Sequence, residues 1–554
     1  MTRLWARVSA VFIIFCQATA LYPLNFNDNV PPTELAGQIV DAMSDEDALA
    51  QVFMFGWRDG ASGAPLPLMQ DWVSKRHIGA VKVFGWNTSD TLQLARNIGT
   101  FQRLASSNPW GIPLLTATDQ EGGLVRHVRG DTSQTPGAMA IGASGFPEDA
   151  YRSAYYIGRE LRALGINMNF APTVDLFTNH RSVLIGSRSF GDDPVKTGIL
   201  GIAFAKGLES AGVIPTAKHF PGHGDTELDS HGVLPVIKAD FDTLWERELV
   251  PYRMLSAESV PAIMSGHIAF PNTQSNNEPA SLSSWFLRDV LRGKIGFKGV
   301  VITDDLIMNG ATSMTGSLWR TAKQALLAGN DILMMSQTPT FDDAIWVNLL
   351  YAMRTENDFR LCVREAAKRV LILKLTYLRK ENSVPLIPDL QEVRKGIQDK
   401  DSVEFFQDLA VRSVTLIKND PKLLPLTQKK AGHIFLAGQS SDFFTLGKKI
   451  FTDVSAYWYT APPSEDLMRR ASEADTIIFY LANDEGIEVL RSFKPLGKKI
   501  IVFSVLSPAY LERVPWIDAA IAVYSNSPES IAAGYSALLG KVAAYGAVPF
   551  VLNE

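Results

Sequence analysis

The sequence predicts an α/β protein: a TIM-type (β/α)8 barrel followed by a smaller α/β sandwich domain. Three observations predict it. Eight short apolar runs recur between about residues 49 and 336, and amphipathic stretches separate several of them. A second α/β pattern begins only after residue 400. The chain has 554 residues, and at roughly 100–200 residues per domain that length suggests more than one domain.

Composition removes several classes. The chain is 46% hydrophobic and 20% charged, with 41 Gly and 30 Pro. Those ordinary values exclude wholesale disorder, collagen and coiled coil. A formal charge of -5 argues against a nucleic-acid partner, because such binders more often carry a basic domain. Cys16 and Cys362 are the only cysteines, which excludes a disulfide framework and a Cys-rich metal site.

Residues 1–20, MTRLWARVSAVFIIFCQATA, read as a signal peptide. Arg3 and Arg7 supply the basic start, residues 8–16 the short apolar stretch, and Ala18-Thr19-Ala20 a small-residue cleavage site. A membrane span needs ~20 apolar residues, so an uncleaved anchor fits less well. Cys16 invites a lipoprotein reading, against which stands the bulky Phe15. The expectation is an exported protein, periplasmic or secreted, with no stable span once the signal is removed.

The apolar runs occupy residues 51–57, 80–86, 114–118, 167–172, 214–218, 262–266, 300–303 and 332–335. They are short and often β-branched, as strands buried on both faces should be. Stretches 150–164 and 196–211 read as helices between them. Eight β/α units in roughly 250–300 residues point to the barrel. A doubly wound sheet is the alternative, weakened because no G-x-G-x-x-G follows the first strand. The barrel domain is placed at 30–380, ending in a long helix over 356–380. Residues 381–400 read as a linker, and 401–554 as the second domain, with strands near 434–437, 476–481, 500–505 and 520–524. Few His or clustered carboxylates fall there, so it reads as a scaffold or docking domain.

The densest polar cluster runs from Lys218 and His219 through His223, Asp225 and Thr226 to Asp229, Ser230 and His231. It starts where the fifth run ends. Other runs end similarly, with Asp119, Gln120 and Glu121 after the third, Asp175 after the fourth, His267 after the sixth, and Asp304 and Asp305 after the seventh. In a TIM barrel the active site lies at the C-terminal ends of the strands. Two chemistries use such a set. A metal hydrolase would take His219, His223, Asp225, His231 and Asp304 as ligands, although Pro221 and Gly222 keep the two His off one helix face. Covalent catalysis would take Asp304 as nucleophile, with His231 held and made more basic by Asp229.

The segments KHFPGHGDTELDSHGVLP (218–235), TDQEGGLVRH (118–127), APTVDLF (171–177), GSRSFGDDP (186–194) and VITDDLIMNG (301–310) resemble glycoside hydrolase family 3. Within that family the chain is similar to the β-N-acetylglucosaminidase (β-N-acetylhexosaminidase) branch, over residues 30–380. The resemblance implies Asp304 as nucleophile, His231 as general acid/base and Asp229 as its orienting partner. Asp305 is expected only to support the strand end. Asp119, Arg188, Lys218 and His219 match positions that grip sugar hydroxyls. For His223 and Asp225, touching substrate and merely shaping the loop both stay open. One departure stands out: an arginine usually sits eight residues after the Asp of DQEGG, and here His127 holds that place. A flanking arginine, Arg126 or Arg129, is expected to take over the role. The resemblance implies a carbohydrate substrate bearing terminal β-linked N-acetylhexosamine, no metal and no cofactor. It implies two-step displacement with retention. The alternatives are a β-glucosidase-type hydrolase, a phosphorylase and a sugar-binding barrel without turnover.

Overall fold

A computed structural model describes residues 24–182, 184–226, 233–420 and 422–553. The expected leader lies outside these residues, as do Asp229 and His231. Among the described residues no helix is long and apolar enough to cross a membrane.

The first sheet is a barrel of eight parallel strands: β1 (Phe53–Gly56), β2 (Ala80–Lys82), β3 (Leu115–Thr118), β4 (Met168–Asn169), β5 (Ile214–Phe220), β6 (Ala262–Ser265), β7 (Val300–Thr303) and β8 (Leu333–Met335). Their order is β8-β1-β2-β3-β4-β5-β6-β7. A parallel bridge between Ile302 and Ile332 closes the ring. All eight predicted runs contain a strand. The fourth is shorter than expected, because only Met168 and Asn169 carry ladder pairings. The fifth is longer, reaching Phe220, so His219 also lies on the strand rather than on the loop after it.

Helices form where the sequence offers both an apolar face and a start signal. Pro147–Ala163 and Pro194–Ser210 each begin with proline, whose fixed φ suits the first helical turn. Asp193 also caps the second by accepting from the N–H groups of Val195 and Lys196. The expected long helix is Asn357–Tyr377. Val384, Val393, Phe405, Phe406 and Leu409 all pack into the barrel's own hydrophobic core. The stretch expected to be a linker, and the helix Lys400–Ser413 after it, are therefore laid against the barrel.

The second sheet comprises β9 (Thr415–Asn419), β10 (Ile434–Gly438), β11 (Val454–Trp458), β12 (Thr476–Leu481), β13 (Lys499–Ser504) and β14 (Ala519–Ala522). Its order is β9-β14-β13-β12-β10-β11, with only β9 antiparallel. Alternation sorts its side chains into two layers. Ile434, Leu436 and Ile478 pack with Phe443 and Tyr535 on one face; Phe435, Ala437 and Ile477 pack with Leu467 and Leu490 on the other. The edge strands β9 and β11 escaped prediction because they are largely half exposed, so their apolar pattern is weak. A cluster of Met139, Ala140, Phe177, Ala509, Tyr524 and Phe550 joins the domains. Arg412 adds a fork to Asp149, at 2.6 and 3.2 Å.

One buried charge yields a testable consequence. Lys374 is fully buried, and its Nζ donates to Gln51 Oε1 at 2.9 Å. Burial pushes the ammonium down to about 7. Unfolded, it titrates near 10.4. Between those values the unfolded chain binds the extra proton, so stability rises with pH. Relative to Lys374→Met, the wild type should therefore gain roughly 1.4 kcal/mol per pH unit from about pH 7 to 10. Parallel denaturant titrations check this; a constant difference would show that the ammonium keeps an ordinary environment.

Candidate active site

A charged cluster lies at the C-terminal ends of the barrel strands, where apolar strand gives way to polar residues. Asp119 follows β3, and its two oxygens are divided between two ammonium groups. Lys218 on β5 reaches Oδ1 at 2.5 Å, and Lys82 at the end of β2 reaches Oδ2 at 2.5 Å. Lys218 also reaches Glu121 Oε1 at 2.6 Å. Arg188, at the end of the turn Gly186–Arg188, forks onto Glu121 at 2.9 and 2.7 Å. The result is a chain of alternating charge, Lys82–Asp119–Lys218–Glu121–Arg188. Burial pushes both carboxyls up, but the adjacent cations outweigh it. Asp119 falls well below the usual carboxylate range and Glu121 falls to about 2. Both stay ionised, as buried carboxylates do only when paired and hydrogen-bonded.

Backbone geometry explains the glycines beside this chain. Gln120–Gly122 and Val125–Arg126 form a small antiparallel hairpin. Gly122 and Gly123 carry φ of +92° and +60°. A Cβ on Gly122 would lie 2.4 Å from Thr135 Oγ1, so no larger residue fits that turn. The hairpin brings position 127 back to its start, where the His127 N–H donates to Asp119 O at 2.8 Å.

A second group is built on Asp175, which is buried. Its carboxylate faces His219 Nδ1 at 2.7 Å and accepts the His223 N–H at 2.7 Å. His219 therefore carries its proton on Nδ1 and turns Nε2 towards Arg188 Nη2, 3.4 Å away. His223 Nδ1 meets Thr226 Oγ1 at 2.8 Å. Burial lowers His223 to about 4, leaving it neutral. Gly224 passes so close to Leu176 that any Cβ would overlap the Leu176 carbonyl oxygen.

Asp304 and Asp305 end β7 with different surroundings. Asp305 Oδ1 accepts from the N–H groups of Ile307 and Ser336, at 3.1 Å each. Its carbonyl accepts from His267 Nε2 at 3.1 Å, so Asp305 braces the loop. Asp304 is partly buried, and among the described residues its Oδ1 accepts the Asp305 N–H, at 2.8 Å. Burial pushes its carboxyl up. The rings of His219 and His267, that N–H and the Lys218 ammonium hold it below the ordinary value. The Asp304 amide is pinned to Ser265 O on β6. An ionised carboxylate on a rigid strand end, beside imidazoles and a cation, suits nucleophilic attack.

The profile described as Glycosyl hydrolase family 3 N terminal domain matches residues 48–372. The chain belongs to glycosyl hydrolase family 3. It is 36% identical over 285 residues to the Beta-hexosaminidase A of Pseudoalteromonas piscicida, covering 49% of this chain and 47% of that protein. It thus spans about half the length of that relative. It is 26% identical over 518 residues to a Beta-N-acetylglucosaminidase/beta-glucosidase of Cellulomonas fimi, covering 85% and 88%. A solved glycoside hydrolase family 3 beta-N-acetylglucosaminidase from Paenibacillus sp. superposes with a TM-score of 0.82 at 27% identity, covering 92% of this chain and 99% of that one.

In this family 3 chain, Asp119, Lys218, Arg188 and His219 come together, with Asp304 facing them. Arg126 does not join them: its Nη1 donates to the carbonyls of Thr132 and Ser133, at 3.3 and 3.4 Å. Arg129 donates to Arg126 O. These bonds tie both arginines to their own loop. The hairpin's alternation turns Arg126 away, while His127 returns to Asp119. Two members of the charge chain were missed as ligand candidates, Lys82 and Glu121. A lysine inside the apolar stretch Ala80-Val81-Lys82-Val83 is the signal that reveals the first. Of the set considered for a metal, the His219 ring faces Asp175 and the His223 ring faces Thr226, and Asp225 pairs with Arg247 at 2.9 Å. Among the described residues no three such side chains are grouped to hold an ion.

Proposed function

We propose that the protein is a retaining, exo-acting β-N-acetylglucosaminidase that removes terminal β-linked N-acetylhexosamine. The observation that carries this reading is Asp304, ionised, held among the described residues by the Asp305 N–H, and set beside the charged cluster of Lys218 and His219. Asp119, Glu121, Lys218 and Arg188 offer fixed acceptors and donors for sugar hydroxyls. Asp304 attacks the anomeric carbon while His231, oriented by Asp229, protonates the departing oxygen. The glycosyl-enzyme then yields to water activated by His231. The relatives named hexosaminidases support this choice of sugar. Rates on paired chromogenic β-N-acetylglucosaminide and β-glucoside substrates test it. The purified chain should cleave the first much faster; faster cleavage of the glucoside would overturn the branch assignment. Repeating the assay with added phosphate separates hydrolysis from phosphorolysis, since a phosphorylase would release the sugar phosphate.

A further inference from the structure

Lys82 stands where neither the strand pattern nor the family positions led us to expect a charge. It ends β2, it is fully buried, and Ala80, Val81 and Val83 around it are apolar and buried. Its Nζ lies 2.5 Å from Asp119 Oδ2, 3.3 Å from His127 Nδ1 and 3.4 Å from Val83 O. The rings of Phe84 and Phe170 lie 4.3 and 5.2 Å from it. An ammonium has donors only. His127 Nδ1 must therefore offer its lone pair, which puts the ring proton on Nε2. The His127 side chain is 28% exposed, and its ring packs on Phe84.

We propose that Lys82 is a positioning residue that supplies, from the neighbouring strand, the charge an arginine at position 127 would give to Asp119, and that His127 in turn presents Nε2–H to an oxygen of the sugar or its aglycone. This rests on the sugar-binding reading of the pocket given above. One buried cation then does two jobs: it holds the second oxygen of Asp119 and sets the His127 tautomer. The groups facing His127 are Lys82 on β2, Asp119 after β3, Lys218 on β5 and the Val83 carbonyl. Burial, Lys82 and Lys218 lower the imidazole, Asp119 and the carbonyl raise it, and the balance leaves it at about 4. His127 is thus a neutral donor at neutral pH, where an arginine would place a cation. Lys82 and an arginine at 127 are alternatives, because with both present three cations would crowd Asp119.

The test is a charge exchange in the full chain, assayed with a chromogenic β-N-acetylglucosaminide. Lys82→Met should raise KM about 10- to 100-fold, as loss of a hydrogen bond to a charged group does, and change kcat only a few-fold. His127, followed by NMR of labelled histidine, should then titrate above about 4. His127→Arg alone should also bind more weakly than wild type. The double variant Lys82→Met/His127→Arg should return KM to within a few-fold of wild type. A double variant no better than the worse single, or a Lys82→Met protein with unchanged KM and unchanged His127 titration, overturns the proposal. If Lys82→Met folds poorly, His127→Arg decides: binding equal to or tighter than wild type refutes it. If the wild type cleaves no N-acetylglucosaminide, the proposed function fails by itself. The His127 titration and its shift on Lys82→Met still test this inference.

Discussion

Asp304→Ala is expected to lower turnover by about 10⁴-fold or more, the scale of losing an enzymic nucleophile. The reasoning is geometric. Asp304 Oδ1 takes one backbone N–H, from Asp305, and its neighbours favour the anion. Asp305 already spends Oδ1 on two loop N–H groups, so it cannot stand in without dismantling the loop. The outcome has a chemical signature. With an activated aryl leaving group, added azide should enter the space left by the carboxylate and restore release. The product should be the α-glycosyl azide, because a single displacement inverts the centre that two displacements retain. Asp305→Ala should instead lower stability, by about 1 kcal/mol for the two part-buried donors left unsatisfied. If Asp305→Ala abolishes turnover in a folded protein, or a trapped glycosyl adduct maps to Asp305, the nucleophile is misassigned.

The second large effect concerns His231. Removing a general acid/base typically costs ~10²–10⁴-fold, and the cost should depend on the leaving group. A dinitrophenolate leaves without a proton, so His231→Ala should still form the glycosyl-enzyme from that substrate. The intermediate would then drain slowly, because no base activates water. A pre-steady-state burst and an adduct on Asp304 are the expected observations. For a sugar leaving group both steps should suffer. Asp229→Ala should be a milder version, since the imidazole remains but is less basic and less well aimed. Equal losses for good and poor leaving groups would show that His231 only satisfies a hydrogen bond in its loop.

Much of the barrel was legible because its cues are local. Eight apolar runs became eight strands, and the polar residues after the third, fourth, sixth and seventh runs fell at the C-terminal ends. The helices read over 150–164 and 196–211 are present too, but they start earlier, at Pro147 and Pro194, where proline suits the first turn. The domain junction was less legible. Phe405, Phe406 and Leu409 sit on a helix whose apolar face is plain in sequence, but nothing local says that the barrel core covers it. The edge strands β9 and β11 were missed because half-exposed strands lack a continuous apolar signal.

The sequence by itself determined the eight barrel strands, the family, and the residue types collected at the strand ends. Tertiary structure alone decided which of those residues meet. Lys82 reaches Asp119 across 37 positions, Asp175 reaches His219 across 44, Arg188 reaches Glu121 across 67, and Lys218 reaches Asp119 across 99. Such pairings depend on how strands from distant segments are staggered and tilted around a closed barrel, a property of the whole ring rather than of any window of sequence. Arg126 and His127 show the same limit within two residues. Both precede the same loop, yet the hairpin turns one towards the Thr132 and Ser133 carbonyls and the other back onto Asp119. Only the folded hairpin distinguishes them, because successive side chains on a strand point to opposite faces.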